Sequence, residues 1–326
     1  MFGAALEGAL LRSCGGRLRD LRWFRTDWQR GGALTGNAIW RDGAGRDHAC
    51  VVKLPIPPNE LTWLERLQSG AGDRAEAGGE GEGAGGSVER RQVVPVLHTG
   101  GRELGQYDLA WAVMERLPHG PLDGKWGGAE WGLLADAAAR FAAAAGAHEV
   151  DREPRREDWD ATAGRAREAV KTNGLPEGQR WNVALKGFAK LWKKRRGEWE
   201  GRDWRQWCHG DLHLGNAMCR TAAPGGPAVL FDLALVHAGH WVEDAVYVEH
   251  VYWGAPGRMG GQDIVKMIAR ARRGLGLAEE GDWPRLAELR RGCLAAAAPA
   301  RIATSHNLNY LHAALERLEG VNEKLG

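Results

Sequence analysis

The sequence has no apolar run approaching the ~18–20 residues that a membrane-spanning helix requires. Cysteine is sparse: Cys14, Cys50, Cys208, Cys219 and Cys293 are scattered, odd in number and form no C-x-x-C pair. That pattern excludes a disulfide framework and a cysteine-based zinc site. Excess charge of one sign is also missing, because 44 basic residues face 42 acidic ones for a net charge of +2. Such balance supplies no global attraction to nucleic acid or to a membrane surface. The opening residues, Met-Phe-Gly-Ala-Ala-Leu-Glu, carry an early acid and no basic segment, so they do not read as a secretory leader. The expectation is a soluble protein of the reducing cytoplasm, with no nucleic-acid or membrane partner. These absences say nothing about oligomeric state.

What is present divides into two parts. The 326 residues suit two domains or two lobes of one. Residues 18 to 56 read as strands and turns: Trp23-Phe24, a glycine-rich turn from Gln29 to Asn37, a strand resuming at Ala38, a hairpin at 41–46, and the β-favouring run Ala49 to Leu54. Pro57 and Pro58 stop that strand, and Asn59 is a candidate N-cap for a helix. Glu60, Leu64 and Leu67 follow on one helical face. Residues 69–91 are Gly, Ala, Glu and Arg with almost no large apolar side chain. Such a segment cannot bury enough surface to offset its ordering entropy, and it reads as a surface insertion.

Val93–Leu97 and Leu109–Met114 read as two more strands, and Pro118 to Pro121 then breaks the pattern. Beyond it the chain turns helical, with helices expected over 131–148, 181–199, 242–252, 263–273, 283–297 and 306–318. Only 207–232 interrupts them, as loop, strand, turn and strand. The expected division is a strand-rich part at 1–117 with one helix and a helical part at 118–326. The lysines and arginines at 186, 190 and 193–196 read as a solvated helix face. No internal repeat is seen, and the tryptophan excess carries no functional reading.

The chemistry concentrates in Cys208 to Asn216, Cys-His-Gly-Asp-Leu-His-Leu-Gly-Asn. Within it His209, Asp211 and Asn216 keep the spacing H-x-D-x₄-N. An aspartate can orient and accept the proton of an attacking hydroxyl, and an asparagine five residues on can offer an oxygen to Mg²⁺. The structural alternative is a polar loop in which His209 caps a turn and Asp211 makes an Asx-turn. A zinc reading of His209 and His213 is weaker, because no cysteine follows at usable spacing. Asp232 ends the apolar run Ala-Val-Leu-Phe and reads as a carboxylate delivered by a buried strand. Lys53 lies within a strand among valine and leucine, where a charge is costly unless paired. Gly31, Gly32, Gly36 and Asn37 form a turn whose backbone N–H groups can approach phosphate.

The segment Cys208–Asn216 resembles the motif of the aminoglycoside phosphotransferase and choline kinase group, with Leu214 where that group usually has proline. The resemblance implies an α+β, two-lobed protein-kinase-like fold: a small antiparallel-sheet lobe with one helix and a larger, mostly helical lobe. It implies Mg²⁺-dependent transfer of the γ-phosphate of ATP or GTP to a small hydroxylated substrate. Carried over by position, Asp211 would be the catalytic base, His209 a support for the loop, and Asn216 and Asp232 the metal ligands. Lys53 would contact the phosphates, with Glu60 as its expected partner because Glu60-x₃-Leu64-x₂-Leu67 matches the family's helix pattern, and Glu65 as fallback. Asn37 resembles the asparagine that follows the family's glycine pair. Glu115 and Leu117, in the linker-like Val-Met-Glu-Arg-Leu-Pro, would meet the adenine edge through their backbones. Asp244 would tie the catalytic loop to a helix, and His148 would be structural.

Asp232 is followed by Leu233 and Ala234, not Phe-Gly, and no A-P-E segment is seen. That argues for a small-molecule enzyme and against a protein kinase. The acceptor could be an aminoglycoside, with Glu149, Asp151, Glu153, Glu157, Asp158 and Asp160 as pocket carboxylates. Interleaved arginines make a charged surface helix the preferred reading of that run. A sugar, amino alcohol or nucleoside acceptor stays open. So does a nucleotide-binding regulatory pseudokinase, although such proteins typically lose one of the three anchors present here.

Overall fold

The structure is a computed structural model and describes residues 2–24, 33–69, 92–124, 128–222, 226–278, 281–302 and 307–326. Gly31, Gly32 and the expected insertion beyond residue 69 lie outside the described residues. Contacts group the chain into two compact units: Met1–His148 with Gly215–Val236, and Glu149–Leu214 with His237–Gly326. Among the described residues, no helix is long and apolar enough to cross a membrane.

The first unit is built on an antiparallel sheet in the order β1-β2-β3-β5-β4: β1 Leu18–Phe24, β2 Leu34–Arg41, β3 Asp47–Leu54, β4 Leu97–Gly101 and β5 Trp111–Glu115. The β2–β3 hairpin turns where expected. Asp42 Oδ1 accepts from Ala44 N and Arg46 N, both at 2.9 Å, an Asx-turn that the Asp-Gly-Ala-Gly sequence permits. Along β3 the period of two buries Cys50, Val52 and Leu54 on one face. Helix α1, Phe2–Ser13, packs Leu6 and Leu10 into the same core. The sequence reading had no helix there. Leu6 and Leu10 are one turn apart, but no turn or cap signal marks the helix start.

Helix α2 spans Pro58–Ser69 and buries Glu60, Leu64 and Leu67 as their spacing requires. Asn59 is not its cap. Pro58 already occupies the first helical position, where its missing N–H costs nothing. The expected strand at Val93–Leu97 is strand only at Leu97: Pro95 has no N–H, and the carbonyls of Val94 and Pro95 accept from side chains, Arg220 Nη2 at 3.2 Å and Gln68 Nε2 at 3.0 Å. Val93 O accepts from Leu230 N at 3.0 Å and Val96 O from Glu115 N at 2.8 Å. Helix α3, Glu130–Ala145, and the hairpin of β7 Ala217–Cys219 with β8 Ala228–Leu230 complete the unit. Backbone bonds join His119 to Cys219 in both directions, and Arg140 donates to Ala228 O. These bonds explain why the first unit runs past residue 117 and takes in a later hairpin.

The second unit holds α4 Trp159–Thr172, α5 Gly178–Glu200, α6 Val242–Val251, α7 Ile264–Gly274, α8 Trp283–Ile302 and α9 Leu308–Leu325. A short pair, β6 Gln206–Cys208 and β9 His237–Gly239, runs antiparallel. Ala295–Ala298, four consecutive residues that go most of the way round α8, are all buried, so the helix is enclosed there and its small side chains let neighbours approach closely. The tryptophans find an architectural use here. Arginine guanidiniums sit over Trp159, Trp199, Trp207, Trp241 and Trp253 at 4.1 to 5.5 Å from a ring centroid. The charged run ahead of α4 is not the surface helix expected: residues 149–158 are irregular chain, Asp158 caps α4 through Ala161 N at 2.8 Å, and Glu157 pairs with Arg290. Farther along, Arg195 pairs with Glu198 and Arg196 with Glu200, as on a solvated helix face.

Candidate active site

In the first unit, alternation along β3 turns Lys53 away from the Cys50–Val52–Leu54 face and toward α2. Its Nζ donates to Glu60 Oε1 at 2.8 Å and Oε2 at 3.0 Å, and to Asp232 Oδ1 at 3.3 Å. Burial disfavours the Lys53 cation, but the Glu60 and Asp232 carboxylates outweigh it and raise the pKa. Burial pushes the Glu60 carboxyl up, with Lys53 opposing. The fallback partner Glu65 is committed elsewhere, to Arg102 at 2.8 Å on the surface.

Asp232 lies just beyond β8, and Asn216 just before β7. The hairpin register pairs Ala217 with Leu230, and Phe231 N donates to Asn216 O at 3.1 Å. The two oxygen-bearing side chains are therefore placed at the same open end of one hairpin. Asp232 adopts φ +61°, a left-handed conformation unusual for a residue with a side chain. The turn that follows, Leu233–Leu235, is held by α2: Asn59 Nδ2 donates to Ala234 O and Val236 O, both at 3.0 Å. This is what Asn59 does in place of capping, and sequence spacing carried no sign of it. The donor set suits Mg²⁺, which takes hard oxygens from one or two side chains and leaves its other positions to phosphate and water. Among the described residues, no cluster of three or more His, Cys, Asp or Glu is arranged to hold a metal by itself.

Gly36 and Asn37 sit within β2, opposite Val52 and Val51, and not in the expected turn. A Cβ on Gly36 would lie 2.7 Å from Leu21 Cδ1, so close packing by β1 accounts for this glycine. At the end of β5, Arg116 N donates to Ala49 O at 3.1 Å, which points the Glu115 carbonyl of the same trans peptide the other way. The Glu115 side chain pairs with Arg220 through two 2.7 Å bonds, a clamp the sequence reading missed. His148 is structural, with Nε2 3.1 Å from Arg66 O.

In the second unit, β6 delivers the loop that starts at Cys208. Gly210 adopts φ +82°, which explains glycine between His209 and Asp211. Asp244, partly buried on α6, accepts from His209 N at 2.6 Å and Gly210 N at 2.8 Å. Burial pushes its carboxyl up, while the charges of His209 and His237 and the two amides pull it down. His209 is fully buried, and its Nδ1 accepts from Asp211 N at 3.3 Å. Asp211 Oδ1 accepts from Tyr247 Oη at 2.8 Å, with His213 Nε2 at 3.7 Å. Tyr247 was not anticipated. The available signal was its place three residues after Asp244 on a helix, hence on the same face. A separate cavity of about 580 Å³ in this unit is lined by Glu198, Arg202, Asp203, Asp282 and Arg285 and by none of these site residues.

The first unit thus sets a lysine beside the carboxylates of Glu60 and Asp232, and the second sets the Asp211 carboxylate under a phenol donor. A family model described as the phosphotransferase enzyme family matches residues 85–289. In fold the chain is similar to the crystal structure of an aminoglycoside phosphotransferase from Alicyclobacillus acidocaldarius. The identity is 14%, 95% of this chain and 92% of that chain are covered, and the TM-score is 0.60. It is also similar to a microcompartment-associated aminopropanol kinase, at 12% identity, 97% and 95% coverage and a TM-score of 0.55. A third likeness is to a spectinomycin phosphotransferase in complex with ADP and spectinomycin, at 10% identity, 94% and 92% coverage and a TM-score of 0.51. No curated protein matches the chain in sequence. The fold is α+β and protein-kinase-like, as the sequence resemblance implied.

Proposed function

This chain belongs to the phosphotransferase enzyme family, and from that premise we propose that it moves the γ-phosphate of ATP or GTP to a hydroxyl of a small molecule. The observation that carries this reading is the position of Lys53 between Glu60 and Asp232. Glu60 holds the ammonium where a phosphate can share it, and Asp232 brings a metal-binding carboxylate to the same cation.

In this reading Asn216 and Asp232 would hold Mg²⁺, which supplies neutralising charge to the phosphates. Lys53 binds the α- and β-phosphate oxygens. The Glu115 carbonyl and the Leu117 amide meet the base edge. Gly31 and Gly32 keep the phosphate-covering role on sequence grounds alone. Asp211 orients the acceptor hydroxyl and takes its proton as the oxygen attacks the γ-phosphorus. The bond to the bridging oxygen breaks, and the nucleoside diphosphate leaves with that oxygen. Residues 1–117 would form the nucleotide lobe and 118–326 the acceptor lobe. The cytoplasm is the proposed setting, consistent with five buried free cysteines. The acceptor is an aminoglycoside in the first instance, with sugars, amino alcohols and nucleosides as the other classes. An aminopropanol kinase and a spectinomycin phosphotransferase share the fold, so fold does not choose among them.

A coupled nucleotide-consumption screen across those acceptor classes, with mass spectrometry of the products, tests this directly. The expected result is one acceptor that gains a phosphoryl group, and loss of that turnover in Asp211→Asn with nucleotide binding kept. Absence of both turnover and any thermal shift with Mg·ATP or Mg·GTP would overturn the reading. Nucleotide binding without turnover on any acceptor would favour the regulatory pseudokinase.

A further inference from the structure

Asp211 is oriented by more than its own loop. One carboxylate oxygen accepts the 2.8 Å hydrogen bond from Tyr247 Oη. Tyr247 lies one helical turn beyond Asp244, whose carboxylate takes the His209 and Gly210 amides. One face of α6 thus grips the loop twice, by its backbone and by its reactive side chain.

The Tyr247 ring is itself backed. His250 lies 5.6 Å from it, and Trp253 and Tyr310 stand edge-on to His250 at 5.3 and 5.5 Å. Burial holds the His250 imidazole neutral, pushing its pKa down to about 4, so it serves as an uncharged wall. Burial and the neighbouring Asp211 carboxylate raise the Tyr247 phenol well above its ordinary value, and it stays a neutral donor. A neutral donor can fix a carboxylate's orientation without taking its charge.

We propose that Tyr247 is a positioning residue for phosphoryl transfer, holding the Asp211 carboxylate in the orientation that receives the acceptor's proton. The proposal rests on the role of Asp211 given above. The titratable and charged groups around the pair are His209 and His213 on the loop, Asp244 and His250 on α6, and Arg301 on α8.

The test compares Tyr247→Phe, Tyr247→3-fluorotyrosine and Asp211→Asn with the wild-type enzyme, using the acceptor from the screen and following the Asp211 carboxyl by carbon NMR. Tyr247→Phe should lower kcat about ten- to a hundredfold with the nucleotide KM unchanged. It should also move the acidic limb of the kcat profile, and the midpoint of the Asp211 carboxyl titration, about one unit to higher pH, because a donor to the ionised form is gone. A more acidic phenol in the fluorinated variant should move both the opposite way. The same shifts should appear in a His213→Gln background, which separates them from His213 titration. Wild-type kcat and an unmoved carboxyl titration in Tyr247→Phe would overturn the proposal while Asp211→Asn remains inactive. Full turnover in Asp211→Asn would remove the assignment of Asp211 and the proposal with it. The NMR readout needs no acceptor, so an unmoved midpoint overturns the proposal even if the screen finds none.

Discussion

Lys53 Nζ donates to both carboxylate oxygens of Glu60, at 2.8 and 3.0 Å. Both groups are largely buried, so neither charge has water to fall back on. Lys53→Met should leave Glu60 as an uncompensated buried carboxylate and destabilise the fold by about 3–5 kcal/mol. It should also cut turnover by about a hundredfold or more. The double variant Lys53→Met with Glu60→Gln should recover much of the stability and none of the activity. Thermal melts and kcat/KM check this, and recovered activity would remove Lys53 from the phosphate site.

The paired amide bonds from His209 and Gly210 make Asp244 the support of the loop that carries Asp211. Asp244→Asn sets an amide N–H₂ against a backbone donor. The expected cost is about 1–3 kcal/mol, with kcat reduced and the nucleotide KM unchanged. Steady-state kinetics at saturating nucleotide reads it, and an undiminished kcat would show the loop does not depend on this carboxylate.

His250 gives a pH dependence with a definite sign. Burial, aided by the charges of Arg301 and Arg290, pushes its pKa down to about 4 from 6.5. Between those values the unfolded chain binds a proton that the folded chain refuses. Stability should therefore fall as pH drops from 6.5 toward 4, by about 3 kcal/mol, and this contribution should then level off. His250→Phe keeps an aromatic ring and cannot charge. Urea unfolding at pH 7.5 and 4.5 should show a smaller acid loss in that variant, and equal losses would refute the assignment.

Gly36 separates packing from phosphate contact. A Cβ there would stand 2.7 Å from Leu21 Cδ1 and 3.1 Å from Trp23 Cε3. Gly36→Ala should cost about 1–3 kcal/mol by overpacking. The thermal shift produced by Mg·ATP should be undiminished. A normal melting temperature with lost nucleotide binding would return this glycine to the phosphates.

Legibility followed the range of the interactions involved. The run Val-Val-Lys, the Glu60–Leu64–Leu67 spacing and the His-Gly-Asp loop are local patterns, and each appears as read. Asn59 misled because its amide is used by carbonyls of Ala234 and Val236, some 175 residues away. Val93–Val96 has strand character, yet Pro95 has no N–H to pair and the carbonyls of Val94 and Pro95 are taken by the side chains of Arg220 and Gln68, so regular pairing starts only at Leu97.

The sequence by itself determined the chemistry on offer: a strand lysine, a loop aspartate with its asparagine, and a strand-terminal aspartate, in the order that phosphoryl transfer uses. Those are choices of residue type and spacing, which a linear pattern can carry. Only the tertiary structure decided the partners. It selected Glu60 over Glu65 for Lys53, because Glu60 lies on the buried face of α2 while Glu65 pairs with Arg102 at the surface. It also brought Tyr247 onto Asp211 across 36 residues. Contacts of that kind depend on how helix faces and strand registers meet, and no local period in the sequence encodes them.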